Sequence, residues 1–261
     1  MFQTSVLASG SKGNSILVRT ENTAILLDAG LSGNKLFTLL ESISVKPTDL
    51  KALVISHEHS DHISGAGVMC RKLHIPLYIS ALTYSSCCHR LGKLPNGTQY
   101  FRVGKEFAID DIIVRSFPSS HDVIDGSNFV FMKAGEEERK LAVATDVGYS
   151  SRLMVHNMQE SSSVILESNH DIPMLLNGPY PPLLKQRIKS NQGHLSNEQA
   201  VGVITQILHP GLKNLILAHL SEQNNLPELA FDVMNKYLIE VKHELKLLVS
   251  SQYEATGLID I

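Results

Sequence analysis

Apolar residues recur along this chain in two rhythms, and their alternation sets out the elements before any chemistry is considered. Short runs of aliphatic and β-branched residues over 2–8, 15–28 and 52–56 predict strands. Between them Leu36, Leu39, Leu40 and Ile43 fall at helical spacing, which predicts a helix from 32 to about 45, closed by Pro47. The same rhythm predicts helices over 62–73 and 81–90, with a strand at 76–80 between them. Residues 106–118 alternate as a strand does. Residues 127–134 and 140–145 suggest a hairpin across the acidic tip 135–138, which reads as a solvated turn. Another strand covers 164–167. Ser196-Asn-Glu-Gln199 then has the form of a capping box, opening a helix to about Leu208. A strand at 213–218, a helix over 226–242 and a strand at 245–250 finish the pattern. The helix carries Leu229, Phe231, Met234, Leu238 and Val241 on one face. Strands and helices interleave without repeat or linker, so periodicity alone gives an α/β chain with one domain over 1–261.

The polar residues that interrupt this pattern gather at strand ends, where rigid scaffolds hold their chemistry. The run 52–56 leads at once into His57-Glu58-His59-Ser60-Asp61-His62. On extended backbone His57, His59 and Asp61 would share one side and His62 the other, so one turn could serve two neighbouring metals. Imidazole and carboxylate donors suit zinc, manganese or iron better than calcium or magnesium. The arrangement of strand followed by polar residue returns at Asp28, His121, Asp146, Glu167 and His219. Taken alone, His121 reads as a structural residue; beside the hexad, which leaves a first metal short of a third imidazole, it is the best placed candidate. A carboxylate such as Asp146 after a buried strand is costly unless paired or metal-bound. Around residue 170 two readings stay open. Asn169 or Asp171 caps the next helix, or His170 and Glu167 support ligands or touch substrate. The turn Gly10-Ser-Lys-Gly-Asn14 is also ambiguous: a plain hairpin, or a site rim with Ser11, Lys12 or Asn14 on a phosphate. Its glycines suit positive φ or a close backbone approach.

The hexad 57–62 looks like the signature of the metallo-β-lactamase-fold hydrolases. Leu7-Ala-Ser-Gly-Ser-Lys-Gly-Asn-Ser15 further resembles the YycJ/WalJ group of nuclease-like proteins, and the likeness runs from Ser5 to about Gln252. The resemblance implies a four-layer αββα sandwich with ligand loops at one edge of two facing sheets. It implies two divalent ions, zinc or manganese. One would take His57, His59 and His121, the other Asp61, His62 and His219; Asp146 would bridge them and Asp28 would support from behind. Asp rather than Cys at 146 sets the chain apart from the zinc β-lactamases. The implied reaction is phosphodiester cleavage by a metal-bridging hydroxide that Asp61 orients, with His194 as the acid for the leaving oxygen. Family analogy points to DNA rather than RNA, degraded as a 5′-to-3′ exonuclease. A cyclic-phosphate diesterase, or a lactone or thioester hydrolase, would use the same seven ligands. A non-catalytic binding protein would have no need to keep all seven. A ribonuclease Z-like role lacks its long arm and its His-Glu-Ala-Thr motif.

Composition changes this picture in three places. At 261 residues, 43% apolar and 19% charged, the chain can bury a full core and is no disordered segment. A net charge of −3 gives no global pull on nucleic acid, so contact must be local. Lys185, Arg187 and Lys189 form the one dense cationic stretch, and they lead to His194 just before a helix N-terminus. They are either a solvated helix face or a phosphate-binding one. Three cysteines fit neither a disulfide framework nor a zinc site, which predicts a reducing cytoplasm. No leader or membrane-spanning run is expected, so a membrane is not a predicted partner.

Overall fold

The computed structural model describes residues 1–261. In chain order the first half runs β1 (Phe2–Ala8), β2 (Ser15–Thr20), β3 (Ala24–Leu27), α1 (Gly33–Ser42), β4 (Leu50–Val54), α2 (Ser60–Ile63), α3 (Ala66–Leu73), β5 (Leu77–Ser80), α4 (Ala81–Leu91) and β6 (Thr98–Phe101). The second half runs β7 (Glu106–Ile109), β8 (Ile112–Pro118), β9 (Ser127–Lys133), β10 (Glu136–Ala144), α5 (Arg152–Met158), β11 (Ser163–Glu167), α6 (Ile172–Asn177), α7 (Pro182–Ile188), α8 (Asn197–Ile207), β12 (Asn214–Ala218), α9 (Pro227–Glu240) and β13 (Lys246–Val249). A short β14 (Ile259–Asp260) returns to the edge of the first sheet beside β1.

Each half builds one sheet, and β14 brings the first to seven strands like the second. The first is ordered β14-β1-β2-β3-β4-β5-β6, the second β13-β12-β11-β10-β9-β8-β7. Both are mixed. Hairpins join β1 to β2 to β3 and β7 through β10, whereas β3 to β6 and β10 to β13 are parallel. Parallel strands are covered on both faces and therefore read as continuous apolar runs.

The period of two inside those runs sorts the residues into layers. Ile25, Leu27, Ala52, Val54, Phe129, Phe131, Val143, Ile165 and Ile216 meet between the sheets. Their neighbours Leu26, Leu53, Val130, Ala142, Val164 and Leu215 face outward into two further cores. There the first sheet packs on Leu36, Leu40 and Met69 of α1 and α3, the second on Met154, Val203, Ile204 and Met234 of α5, α8 and α9. Three apolar interfaces make four layers, the αββα sandwich of the metallo-β-lactamase fold.

Several boundaries differ from the sequence reading. Residues 15–28 form two strands, because Thr20 Oγ1 accepts from the backbone N–H of Asn22 and Thr23 and turns the chain. Residues 106–118 likewise form a hairpin, with Asp110 at φ 49°. The helix expected over 62–73 is broken between α2 and α3. A Cβ at Gly65 would lie 2.0 Å from the Leu31 carbonyl oxygen, so the backbones touch where the helix divides. The acidic tip is an exposed turn as expected, with Glu136 also paired to Lys133 (2.7 Å) and Arg139 (2.8 Å).

Candidate metal centre and active site

The candidate side chains leave the sheets at one rim, and three of them bend the chain sharply where they do. Asp28, Asp146 and His219 follow β3, β10 and β12 with φ of 62°, 55° and 56°. Such left-handed backbone is uncommon outside glycine and collects at functional positions. The hexad is extended only as far as His59, which is the residue preceding α2. The expected alternation therefore ends there, and a helical turn carries Asp61 and His62 to the second position. Gly30 permits this packing, since a Cβ there would meet the Asp61 carbonyl oxygen at 1.6 Å.

All seven expected ligands converge. His57, His59 and His121 form one group whose donor atoms lie within 4.8 Å of one another, and Asp61, His62 and His219 form another. Asp146 stands between them, with Oδ1 3.7 Å from both His121 Nε2 and His219 Nε2, and Oδ2 3.3 Å from His62 Nε2. Four of the imidazoles are oriented alike. Nδ1 of His57 lies 3.0 Å from Ser56 Oγ, and that of His121 lies 3.2 Å from the Gly193 carbonyl. Nδ1 of His62 bonds Asp28 at 2.8 Å, and that of His219 bonds Glu167 at 2.7 Å. Tying Nδ1 fixes the tautomer and leaves Nε2 as the donor to an ion.

The atoms facing the centre fit a cation. His57 Nε2, His219 Nε2 and Asp146 Oδ2 are buried and take no hydrogen bond, a costly state for polar atoms unless an ion answers them. Burial alone would raise the Asp146 carboxyl, but the His219 and His62 rings hold it well below the carboxylate range. Burial likewise opposes charge on His62, yet Asp28 and Asp146 raise it well above an ordinary imidazole. Burial also opposes charge on His219, which Asp146 raises in the same way. Burial lowers His57 and His121, keeping them neutral donors. The buried carboxylates thus call for positive charge in the space that the ring nitrogens surround.

Behind these groups the supporting partners are partly the expected ones. Asp28 accepts from His62 Nδ1, from Ser56 Oγ at 2.8 Å and from the Ser56 N–H at 2.8 Å. Asn14 is buried under the centre rather than at its rim, with Nδ2 3.2 Å from Asp61 Oδ2 and 3.1 Å from His62 Nε2. Its backbone N–H donates to the Asp61 carbonyl, so the glycine turn positions the hexad. His170 touches no ligand: its backbone bridges to Ser196 and its Nδ1 has no partner, while Asp171 caps α6. The supporting role considered for His170 belongs to Glu167. This buried carboxylate accepts from His219 Nδ1 (2.7 Å) and His194 Nδ1 (2.8 Å) on Oε1, and from the N–H groups of Val147 (2.9 Å) and Leu195 (3.0 Å) on Oε2. Burial would raise its pKa, but the His194 and His219 rings take it down to about 2.

A cleft of ≈ 350 Å³ opens above the centre, bordered by Ser11, Tyr180, Arg187, His194 and Ser221 together with the ligands. His194 sits opposite the pair His121 and His219, with ring centroids 5.0 and 5.2 Å away. Of the three cations considered, only Arg187 lines this cleft. It makes a two-pronged pair with Asp122 (2.6 and 2.9 Å), a partner that sequence reading missed. Lys185 and Lys189 border a separate surface hollow, because residues four apart share a helix face that the intervening residue does not. Lys12 is turned away to Glu222 and Tyr253.

A shaped cleft over two bridged donor sets, with a carboxylate-held imidazole beside them, defines a metal-dependent hydrolase. Comparison with known proteins narrows the class. The family model of the metallo-beta-lactamase superfamily matches residues 8–137. The exodeoxyribonuclease WalJ of Streptococcus pneumoniae is 39% identical over 267 aligned positions, covering 100% of this chain and 98% of its own. The exodeoxyribonuclease YycJ of Bacillus anthracis is 40% identical over 227, covering 87% and 85%. Among solved structures, the metallo-beta-lactamase fold protein YhfI of Bacillus subtilis superposes with a TM-score of 0.75 over 97% of this chain and 98% of its own. At 13% identity it speaks to the fold. The chain belongs to the metallo-beta-lactamase superfamily and, within it, to the family of WalJ and YycJ. Divalent metal binding comes with that membership.

Proposed function

We propose that the chain, acting as one domain, is a phosphodiesterase of nucleic acid that uses two divalent ions, and specifically a 5′-to-3′ DNA exonuclease. The observation that carries this reading is Asp146 standing between two complete donor sets on the floor of a cleft whose wall holds Arg187 and His194. His57, His59 and His121 would hold one ion and Asp61, His62 and His219 the other, with Asp146 shared. Nitrogen-rich sets with carboxylates suit zinc or manganese. When bound, such a pair neutralises phosphate oxygens and acidifies a water between them.

The remaining work falls to the chain. Arg187 at the cleft wall answers the charge of a phosphate that displaces Asp122 from its guanidinium. Asp61, partly open to the cleft, would accept a hydrogen bond from the attacking oxygen and so orient it. His194 has Nδ1 engaged by Glu167, which leaves Nε2 to hand a proton to the departing oxygen. DNA as substrate is supported by the relatives, both named exodeoxyribonucleases. The cytoplasm suits the three free thiols, and no helix is long and apolar enough to cross a membrane.

The test is incubation of end-labelled single- and double-stranded DNA with zinc or manganese, beside RNA and cyclic diesters. Stepwise loss of nucleotides from the 5′ end is expected, abolished by chelator and by Asp61→Ala. Turnover in the chelated protein, or hydrolysis of the cyclic diesters alone, overturns the reading.

A further inference from the structure

Beside the metal cleft lies a second hollow of ≈ 450 Å³, the size of a small-molecule site. The two are separated by the turn after β12: His219 belongs to the cleft, Leu220 and Glu222 to the hollow, and Ser221 borders both. The hollow's walls are largely apolar, from Leu220, Leu226, Pro227 and Val249. At its mouth stands Tyr253. Tyr253 is 54% exposed and Leu226 48%, so both present apolar surface to whatever enters.

The Tyr253 ring is nevertheless not free to swing. Its hydroxyl donates to Glu222, Lys12 Nζ reaches the same hydroxyl at 2.9 Å, and that ammonium also sits 5.5 Å from the ring centroid. Lys12 closes the set by pairing with Glu222 at 2.7 Å. An exposed aromatic ring held at its polar end has little freedom left to lose on binding a flat partner. The carboxylate in the wall already has its countercharge and does not repel an anionic strand.

The geometry points to this hollow as the seat of an unstacked nucleobase, the one attached to the phosphodiester in the metal cleft. The inference rests on the nucleic-acid reading above and adds to it a place for the base. Continuity through Ser221 supports a single strand bridging both spaces. Each cleavage at a strand end also leaves a base parted from its neighbour, with a face to cover. Stacking on an aromatic side chain supplies that cover for any of the four bases. Tyr253 and Leu226 are then binding residues that hold the terminal nucleotide in register.

Binding is measured with the full chain in chelator, where no hydrolysis intervenes, using short single strands with 2-aminopurine at the terminal nucleotide or an abasic site there. Stacking changes affinity by roughly tenfold per base. The wild type is expected to quench the 2-aminopurine and to bind the abasic strand about tenfold more weakly. Tyr253→Ala and Leu226→Ala should each shrink that preference towards unity, and Tyr253→Phe, which keeps the ring but loses its anchor on Glu222 and Lys12, should lose only part of it. Hydrolysis with metal restored should show the same loss as a raised KM with kcat little changed. Equal affinity of the wild type for the normal and abasic strands overturns the base seat even where DNA is degraded, and it is also what a hollow made for a peptide or a second copy would give. Failure of the wild type to bind or degrade any strand removes the nucleic-acid reading, and the base seat with it.

Discussion

Glu167 is the residue on which two proposed functions meet, since one carboxylate oxygen serves both a candidate ligand imidazole and the candidate acid. Replacing it with Gln keeps the volume but offers one oxygen and an amide in place of two acceptors. Two imidazole N–H groups and two backbone N–H groups then compete for that oxygen. Glu167→Gln should lower metal affinity or turnover by about 10- to 100-fold, read as metal content after dialysis and as hydrolysis of bis(p-nitrophenyl) phosphate. His194→Ala should instead keep its metal and lose kcat more for a poor leaving group than for p-nitrophenolate; equal losses would remove it as the acid. The sequence offered Glu167 and His170 together as supporting or substrate groups and could not choose between them. The His-rich hexad announces itself by residue type and spacing, whereas which of two polar residues past an apolar strand turns towards the ligands depends on distant partners. Those of Glu167 sit 20, 27, 28 and 52 positions away.

Among the elements, α7 is where composition misled most. Three cations in five residues read as one basic face, but a helix separates residue 187 from residues 185 and 189 by more than half a turn. Arg187→Ala should therefore reduce kcat/KM on DNA by about 10-fold through a lost charge-assisted pair. Lys185→Ala with Lys189→Ala should leave kcat alone. If a strand runs over that face, the pair of substitutions should also make the salt slope of single-strand binding shallower by about 0.7 for each lost contact. Titration of binding against salt, beside steady-state kinetics, separates the two faces. Most helices were legible, because apolar spacing and the Ser196–Gln199 capping box are local signals; α5, only seven residues long, was missed. What broke the expected 62–73 helix was contact with Leu31, a residue far enough away that no local window contains it.

Across the whole molecule, each donor set draws on both sheets. His57 and His59 leave the first sheet and meet His121 from the second; Asp61 and His62 leave the first and meet His219 from the second. Ions held there would join the sheets at a rim that apolar contacts alone leave less constrained. Each ion at a hundredfold excess over its Kd should stabilise the fold by about 2.7 kcal/mol. That corresponds to a rise of roughly 5–10 °C in Tm for a chain of this size, checked by scanning calorimetry with and without chelator. An unchanged Tm would mean that the ions bind folded and unfolded chains alike. The layer architecture followed from the family resemblance, but the sorting of each strand into inner and outer faces could be read only once the sheets were paired. A buried run such as 52–56 looks the same from either side.

The left-handed bends at Asp28, Asp146 and His219 carry a consequence for anyone engineering this protein. Glycine would relax the backbone at each of them by about 1 kcal/mol, less than the loss from orphaning the buried donors that Asp28 answers, each about 1–3 kcal/mol. Heat resistance is therefore better sought elsewhere in the chain, since these bends cannot be relaxed without loosening what surrounds them.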